Sequence, residues 1–256
     1  LMNGGFVLAP HTSHWIDFLS RGGYAHEMRL LRRSPRALDG TWTIASEARH
    51  FWHFATEHLP SLIRTAQAGV NSIVVPSGQP SWYYDFIGEL YSDVRQLERG
   101  AYRAQDLVVT TSHSPASSSD VALVRDFLVP DSPSPTGQVV YVSRMQSRRR
   151  PEGERRRCEG LSRAGFDVVD VENLGVREQI RFFSSVSAIC GYAGSGFANM
   201  LWMRPGSHAL ALYEAQVRND FTTPLLAEAC GLSFTASFGD SPEEDMRTVW
   251  NWKASL

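Results

Sequence analysis

The sequence has 256 residues, of which 43% are hydrophobic. This composition excludes a disordered, collagen-like or coiled-coil chain and is sufficient for one large domain or two smaller ones. The charges nearly balance, with 25 Lys and Arg against 27 Asp and Glu. The chain as a whole therefore does not attract nucleic acid or an anionic membrane, and any basic binding site must be local.

The cysteine pattern favours a reducing compartment. Cys158, Cys190 and Cys230 lie far apart without a C-x-x-C motif, which predicts neither a disulfide framework nor a structural zinc site. No apolar run approaches the ~18 residues that span a bilayer, so we expect a cytoplasmic protein with no integral membrane segment. The chain begins with Leu1 rather than Met, which leaves open a missing N-terminal portion with a membrane anchor.

The first half of the chain predicts an irregular alternation of strands and helices. The expected elements are a strand near Phe6, a strand at 41–45, a helix from about Ser46, and strands at 72–75 and 106–110. Prolines alternate with small polar residues from 129 to 137, which is typical of a linker. We therefore predict two domains, 1–132 and 133–256.

The second half predicts a parallel, doubly wound sheet. Short apolar runs there are separated by helical stretches of the length that right-handed crossovers need. The expected strands are 139–143, 166–169, 187–190, 209–213 and 233–236. If the first half is also α/β, two domains facing across a cleft suit a large, two-part ligand.

A glycine-rich loop at 191–196 follows the strand that ends at Cys190 and precedes a helical stretch. This context predicts that N–H groups of Gly194, Ser195 and Gly196 hold an anionic phosphate at the strand end. The alternative is a tight turn that requires glycine only for its backbone. The spacing matches neither the dinucleotide fingerprint nor a Walker A loop, and the hydrolase elbow around Ser195 is incomplete.

An arginine cluster follows the first strand of the second half. Seven arginines between 144 and 157 face two glutamates, a local excess of five positive charges. We expect Arg144, Arg148 and Arg149 to bind a diphosphate, because guanidinium groups form paired charge-assisted hydrogen bonds. A solvated helix start is the alternative, and we assign residues 155–157 to it. RNA binding is less favoured because no aromatic residue is interleaved for base stacking.

A histidine-rich segment in the first half supplies a candidate general base. His50, His53 and Glu57 fall on one face of a predicted helix, and a carboxylate one turn from a histidine tunes such a base. The alternatives are a metal site, for which the H-E-x-x-H motif is absent, and a half-buried structural helix. His11 and His14 form a similar, weaker pair. No D-x-D triplet is present, so no metal-ligand set for a diphosphate is predicted.

Four sequence blocks resemble glycosyltransferase family 61, which includes bacterial capsular-polysaccharide transferases and eukaryotic O-linked GlcNAc- and xylosyltransferases. Residues 51–60 resemble its aromatic-His-Trp block, with His53 and Glu57 on the histidine and acidic positions. Residues 141–149 resemble its strand-Ser-Arg run, and residues 178–183 resemble its Glu-Gln helix. Residues 191–207 are similar to its glycine block, with Asn199 on the asparagine.

The resemblance implies a GT-B fold of two Rossmann-like domains and an inverting, metal-independent transfer from a nucleotide-sugar, with no further cofactor. It implies a UDP- or GDP-linked donor bound by Arg144, Arg148, Arg149, the glycine loop and Asn199. The acceptor is expected to be a glycan or lipid-linked glycan, with His53 or Glu57 as the base. Such an enzyme is expected in surface-polysaccharide synthesis, in the cytoplasm or at the inner face of the membrane.

Three positions depart from the family pattern. Ala193 stands where the family often has a histidine, Ala211 where a glutamate commonly follows, and His50 where an asparagine is usual. These departures leave open a changed donor specificity, or a catalytically inactive relative that binds nucleotide-sugars or acts as a scaffold.

Overall fold

The computed structural model describes residues 5–8, 36–45, 48, 50–97, 100–108, 110, 116–129, 136–214, 220–239 and 242–256. His11 and His14, the weaker histidine pair, lie outside these ranges. The chain divides into two compact units, Leu1–Ser112 and His113–Leu256, and each is described by itself. The domain boundary at residues 132 and 133 stays a prediction.

The described part of the first unit contains a mixed five-stranded sheet and two helices. Its strands are β1 (Gly5–Leu8), β2 (Arg36–Ile44), β3 (Ser72–Pro76), β4 (Asp93–Leu97) and β5 (Gly100–Leu107). The strand order is β1-β5-β2-β3-β4, with β1 antiparallel to β5 and all other neighbours parallel. Helix α1 has three consecutive segments, Phe51–His53, the π-helical Phe54–His58 and Leu59–Gln67, and α2 spans Ser81–Leu90.

The core of this sheet consists of large side chains on alternate strand positions. Trp42 on β2, Val74 on β3 and Tyr102 on β5 are at most 2% exposed and pack in one cluster. Alternation explains the arrangement, because residues two apart on a strand share a face. The predicted strands at 41–45 and 72–75 correspond to parts of β2 and β3, which carry these buried residues.

The second unit contains a fully parallel five-stranded sheet. Its strands are β6 (Val139–Val142), β7 (Asp167–Val169), β8 (Ala188–Tyr192), β9 (His208–Glu214) and β10 (Ser233–Gly239). Its helices are α3 (Ser118–Leu128), α4 (Glu154–Arg163), α5 (Val176–Ser185), α6 (Thr222–Ala229) and α7 (Pro242–Ala254), with 3₁₀ segments at Val171–Asn173 and Ser195–Trp202. The parallel pairing confirms the prediction of an α/β fold with a parallel sheet.

Both faces of the second sheet are covered. Tyr141, Cys190 and Leu210 pack against Leu161 of α4 and Val249 of α7. The alternate positions point to the opposite face, and they too are fully buried: Val140, Ile189 and Ala209. Continuous burial explains why these strands read as uninterrupted apolar runs.

The strand order β10-β9-β8-β6-β7 contains a topological switch point between β6 and β8. The chain leaves β6 toward β7 on one side and later returns to β8 on the other. In open α/β sheets the connections that follow the two neighbouring strands run to opposite faces at such a point, and ligands bind in the crevice outside the carboxyl ends of the strands. This position is the second unit's expected binding edge. Among the described residues, no helix has the length and apolar character needed to cross a membrane.

Candidate functional site

Arg144 lies at the switch point of the second sheet. It follows β6 by two residues, and its guanidinium Nη2 donates a hydrogen bond to the carbonyl of Ala193, which follows β8. Its backbone N–H donates to Glu154 Oε1 at 2.8 Å. The structure therefore fixes both the main chain and the side chain of Arg144 at the edge where the sequence predicts a diphosphate site.

The glycines of the loop permit close approach between the ends of β6 and β8. A Cβ on Gly191, which has a φ of 150°, would lie 2.9 Å from the carbonyl oxygen of Val142. A Cβ on Gly196 would lie 2.7 Å from Val142 Cγ1, and one on Gly194 would overlap the Arg144 guanidinium. Gly191 and Gly196 thus serve packing, whereas Gly194 makes room for the arginine.

Ser195 begins the helical stretch that the sequence predicts, and this stretch is a 3₁₀ segment. Phe197 N–H donates to the Gly194 carbonyl at 2.9 Å, which closes the first turn. The first N–H groups of a helix have no acceptor within that helix. The N–H groups of Ser195 and Gly196 occupy this position, beside the exposed Ser195 side chain.

Asn199 is fully buried and bonded to its own segment. Its Nδ2 donates to the Gly196 carbonyl at 3.0 Å, and its Oδ1 accepts the Trp202 Nε1 hydrogen at 3.0 Å. These two bonds brace the loop that carries Gly194 and Gly196. The structure thus shows Asn199 shaping the glycine loop, and its predicted contact with a donor stays a prediction.

Arg148 and Arg149 are exposed in a turn that follows Arg144. Burial lowers the pKa of Arg144, and the nearby positive charge of Arg149 acts in the same direction. The carboxylates of Glu154 and Glu214 oppose that shift in the pKa of Arg144. The positive charges of Arg144 and Arg149 therefore act on each other. An anionic ligand bound beside them would compensate both charges.

A buried ion-pair network lies next to Arg144 and includes Glu154, which binds the Arg144 backbone. The network consists of Tyr141, Glu154, Arg157, Tyr192 and Asp245. Arg157 donates to Glu154 Oε2 at 2.7 Å and to Asp245 Oδ2 at 3.0 Å, and all three side chains are at most 1% exposed. Tyr141 also donates to Glu154 Oε2 at 3.0 Å, and Tyr192 donates to Asp245 Oδ2 at 2.5 Å. The Arg157 guanidinium lies 4.9 Å from the Tyr192 ring centroid.

This network corrects one sequence-based expectation. Arg157 was assigned to a solvated helix start, but its charge is buried because Glu154 and Asp245 compensate it. Asp245, near the start of α7, is one of these buried partners. Neither role was visible in the sequence, because the ion pair joins α4 to α7 across 88 residues.

In the first unit, His53 and Glu57 form the predicted pair. His53 Nδ1 and Glu57 Oε1 are 2.8 Å apart, and the His53 side chain is 46% exposed. The hydrogen bond to Glu57 raises the pKa of His53, partly opposed by burial. The π-helical segment Phe54–His58 holds the carboxylate next to the ring, and π-helical turns often occur at functional sites.

Two further histidines flank this pair. The exposed His50 ring centroid is 6.2 Å from that of His53. Burial lowers the pKa of His58, and its Nε2 has no hydrogen-bond partner among the described residues. The sequence-based prediction did not include His58, which directly follows Glu57 in the chain.

Aromatic side chains support the same segment. The Phe54 ring lies 5.4 Å from both Trp82 and Phe86, and Phe51 contacts Trp82 edge-on at 5.4 Å. Phe54 and Phe86 are buried, whereas Phe51 and Trp82 are partly exposed. These aromatic contacts support the helical segment that carries His53 and Glu57.

Glu214 is an additional acidic residue at the binding edge. It ends β9, two strands from β6, and its charge acts on Arg144. Ala211, where a glutamate is common in the family pattern, lies three residues earlier on the same strand. Across the described ranges, no group of three or more His, Cys, Asp or Glu side chains is arranged to hold a metal ion.

The second unit thus has an open, doubly wound α/β fold with an arginine and a glycine loop at its switch point. The sequence profile of a known family, Glycosyltransferase 61, matches residues 51–210. The match begins at the first turn of α1 and ends within β9, so it includes both the histidine pair and the arginine edge. The chain belongs to glycosyltransferase family 61 and is a glycosyltransferase. No curated protein matches the chain.

Proposed function

We propose that this glycosyltransferase uses a nucleoside-diphosphate sugar, UDP- or GDP-linked, as its donor. The observation that carries this proposal is the Arg144 guanidinium, held against the Ala193 carbonyl at the switch point of the parallel sheet. A diphosphate at this edge would meet Arg144, the exposed Arg148 and Arg149, and the N–H groups of the glycine loop. Charge-assisted bonds from arginine are well suited to such a group.

The proposed reaction is an inverting transfer to a hydroxyl of a glycan or lipid-linked glycan. The acceptor oxygen attacks the anomeric carbon, the bond from that carbon to the diphosphate oxygen breaks, and the nucleoside diphosphate leaves with the electron pair. Arg144, Arg148 and Arg149 would compensate the charge that develops on this leaving group, a role that otherwise falls to a metal ion. We therefore propose that no metal is required.

His53 is the proposed proton acceptor for the attacking hydroxyl. If His53 Nδ1–H donates to Glu57, the lone pair of Nε2 is available to accept a proton. Glu57 would then orient the ring and stabilise the imidazolium that forms. The alternative within this proposal is that Glu57 itself accepts the proton. A GT-B arrangement of the two units, which the family resemblance implies, belongs to the same proposal.

We further propose a role in surface-polysaccharide synthesis at the cytoplasmic face of the membrane. The free Cys158, Cys190 and Cys230 support a reducing compartment, since Cys190 and Cys230 are buried and unpaired. A lipid-linked acceptor would be available at that face.

A thermal-shift titration with UDP and GDP tests the donor site. A ligand at a hundredfold excess over its dissociation constant stabilises the folded state by about 2.7 kcal/mol. Arg144→Ala should reduce this stabilisation, because a charge-assisted bond contributes about 1.5–3 kcal/mol. Arg163→Ala is the matched control, since Arg163 is 79% exposed on α4. Absence of stabilisation by every nucleoside diphosphate tested would contradict the proposal.

A second candidate is a catalytically inactive relative that binds nucleotide-sugars or acts as a scaffold. Ala193 and Ala211 favour it, because the family often has ionisable residues at those positions. Slow hydrolysis of nucleotide-sugars separates the two candidates. An active enzyme should release a nucleoside diphosphate from one donor of a panel, whereas an inactive relative should bind that donor without releasing it.

A further inference from the structure

An aromatic pair lies at the carboxyl edge of the second sheet, outside the residues assigned above. Phe238 and Tyr213 stack with ring centroids 5.2 Å apart and an interplanar angle of 20°. Tyr213 is 5% exposed, whereas Phe238 is 55% exposed. One face of the Phe238 ring is therefore covered by Tyr213, and the side chain remains accessible to a ligand.

Strand register relates this pair to Arg144. One row of paired residues crosses the sheet through Val142, Gly191, Ala211 and Ala236. The residues two positions further along each chain are Arg144, Ala193, Tyr213 and Phe238. Residues two apart share a face of a sheet, so the aromatic pair continues the row that Arg144 and Ala193 begin with their hydrogen bond.

The distance along this edge suits a nucleotide. Neighbouring strands are about 4.8 Å apart, so the three intervals from β6 to β10 cover about 14 Å. The long Arg144 side chain covers part of this distance, so the ribose and phosphates of an extended nucleoside diphosphate need to bridge only the remainder. The strand register places the end of β9 two strands from β6, which Arg144 follows.

The aromatic pair is held rigidly, as a stacking surface should be. The Tyr213 hydroxyl donates to Asp220 Oδ2 at 3.4 Å, and the same carboxylate group accepts N–H bonds from Thr222 at 2.9 Å and Thr223 at 3.4 Å. Asp220 thus anchors Tyr213 to the start of α6. The hydrogen bond to Asp220 therefore restrains the Tyr213 ring on which Phe238 stacks.

We propose that Phe238, supported by Tyr213, is the stacking platform for the nucleobase of the sugar donor. The inference rests on the proposed function, since it assumes that the diphosphate of the same donor occupies the Arg144 edge. Stacking on an aromatic ring tolerates different bases. The platform thus accounts for binding of the nucleoside portion, while the arginines account for the phosphates.

Isothermal titration calorimetry with UDP, GDP and inorganic pyrophosphate tests the platform. Phe238→Ala should weaken nucleoside-diphosphate binding about 5- to 150-fold, the range expected for loss of one stacked base. It should leave pyrophosphate binding unchanged. Phe238→Leu should weaken UDP and GDP binding by a similar factor, because leucine keeps the bulk but cannot stack. Phe238→Trp should keep the affinity of the unmodified protein. Phe127→Ala is the matched control, because Phe127 is a 40% exposed phenylalanine on α3.

The outcomes separate this inference from the proposed function. Unchanged UDP and GDP affinity in Phe238→Ala, with both weakened in Arg144→Ala, would overturn the platform and keep the donor site. Equal weakening of pyrophosphate and nucleotides in Phe238→Ala would also overturn it, since the effect would then reach the phosphates. Failure of the unmodified protein to bind any nucleoside diphosphate would overturn both.

Discussion

The Glu154 carboxylate joins Arg144 to Arg157. Its Oε1 accepts the Arg144 backbone N–H at 2.8 Å, and its Oε2 accepts an Arg157 guanidinium hydrogen at 2.7 Å. One buried carboxylate therefore fixes the main chain at the switch point and compensates a buried cation beneath it. The position of Arg144 depends on this support as well as on the Ala193 carbonyl.

Glu154→Gln should destabilise the second unit strongly. The glutamine amide would place N–H donors against the donors of Arg157 or Tyr141 and leave a buried cation poorly compensated. Removing one partner of a buried ion pair typically costs about 3–5 kcal/mol. Urea unfolding measures this loss. Glu159→Gln is the control, because Glu159 forms an exposed pair with Arg163 and should cost less than about 1 kcal/mol. Similar losses in the two variants would contradict the assigned role.

Two glycine substitutions should separate folding from binding. Gly191→Ala brings a Cβ against the Val142 carbonyl in a strained backbone conformation, which we expect to cost about 1–3 kcal/mol of stability. Gly194→Ala meets only the flexible end of Arg144 and should displace the guanidinium while the fold persists. Melting temperature and UDP or GDP affinity measure the two effects. Loss of stability without loss of affinity in Gly194→Ala would argue against the arginine's proposed role.

His53→Ala should reduce turnover more than donor affinity. Removing a general base typically lowers the rate about 10²- to 10⁴-fold, while the proposed donor contacts lie in the other unit. Glu57→Gln should cause a smaller loss if Glu57 orients the ring, and an equal or larger one if Glu57 is the base. His50→Ala is the control on the same segment and should be mild. Small, equal effects in all three would make this segment structural.

The His53–Glu57 bond should also make stability depend on pH. Glu57 raises the pKa of His53 in the folded state, so the bond favours the protonated, folded form. Its stabilisation is fully present below the ordinary histidine pKa and is lost as the pH rises through the folded-state pKa. The difference in unfolding free energy between the unmodified protein and Glu57→Gln should therefore be larger at about pH 5 than at about pH 8. A difference that grows with pH would contradict the assignment.

Activity and donor binding should survive EDTA. The positive charge proposed to compensate the leaving diphosphate comes from Arg144, Arg148 and Arg149, which chelation does not remove. Turnover with and without EDTA, after dialysis, measures this. Complete loss that manganese or magnesium restores would show that a cation is required, and His50, His53 and Glu57 would then be the first residues to test as ligands.

The sequence predicted the second sheet well because its strands are buried on both faces. Apolar runs such as 139–142 and 209–213 have no other ready explanation, and the crossover lengths imply parallel pairing. In the first unit, β4 was missed because Asp93, Arg95 and Gln96 are partly or fully exposed and interrupt the apolar pattern. The predicted strand at 106–110 overlaps only the end of β5.

The candidate site was only partly predictable for a different reason. His53 and Glu57 are four residues apart, and a helical period is enough to pair them. Asp245 and Arg157 meet only because α4 and α7 cover the same face of the sheet, and no local spacing encodes that contact. Similarly, Phe238 stacks on Tyr213 through strand register, which the sequence does not state.

The extent of the family match has a practical consequence for fragment design. The match ends at Leu210, but β9 continues to Glu214, and β10 and α7 follow. An expression fragment cut at that position would remove Leu212, Val249 and Trp252 from the core and leave Arg157 without Asp245. It would also present β9 as a truncated, unpaired edge, which favours aggregation. The recognisable family region is therefore shorter than the smallest piece of this chain that can be expected to fold.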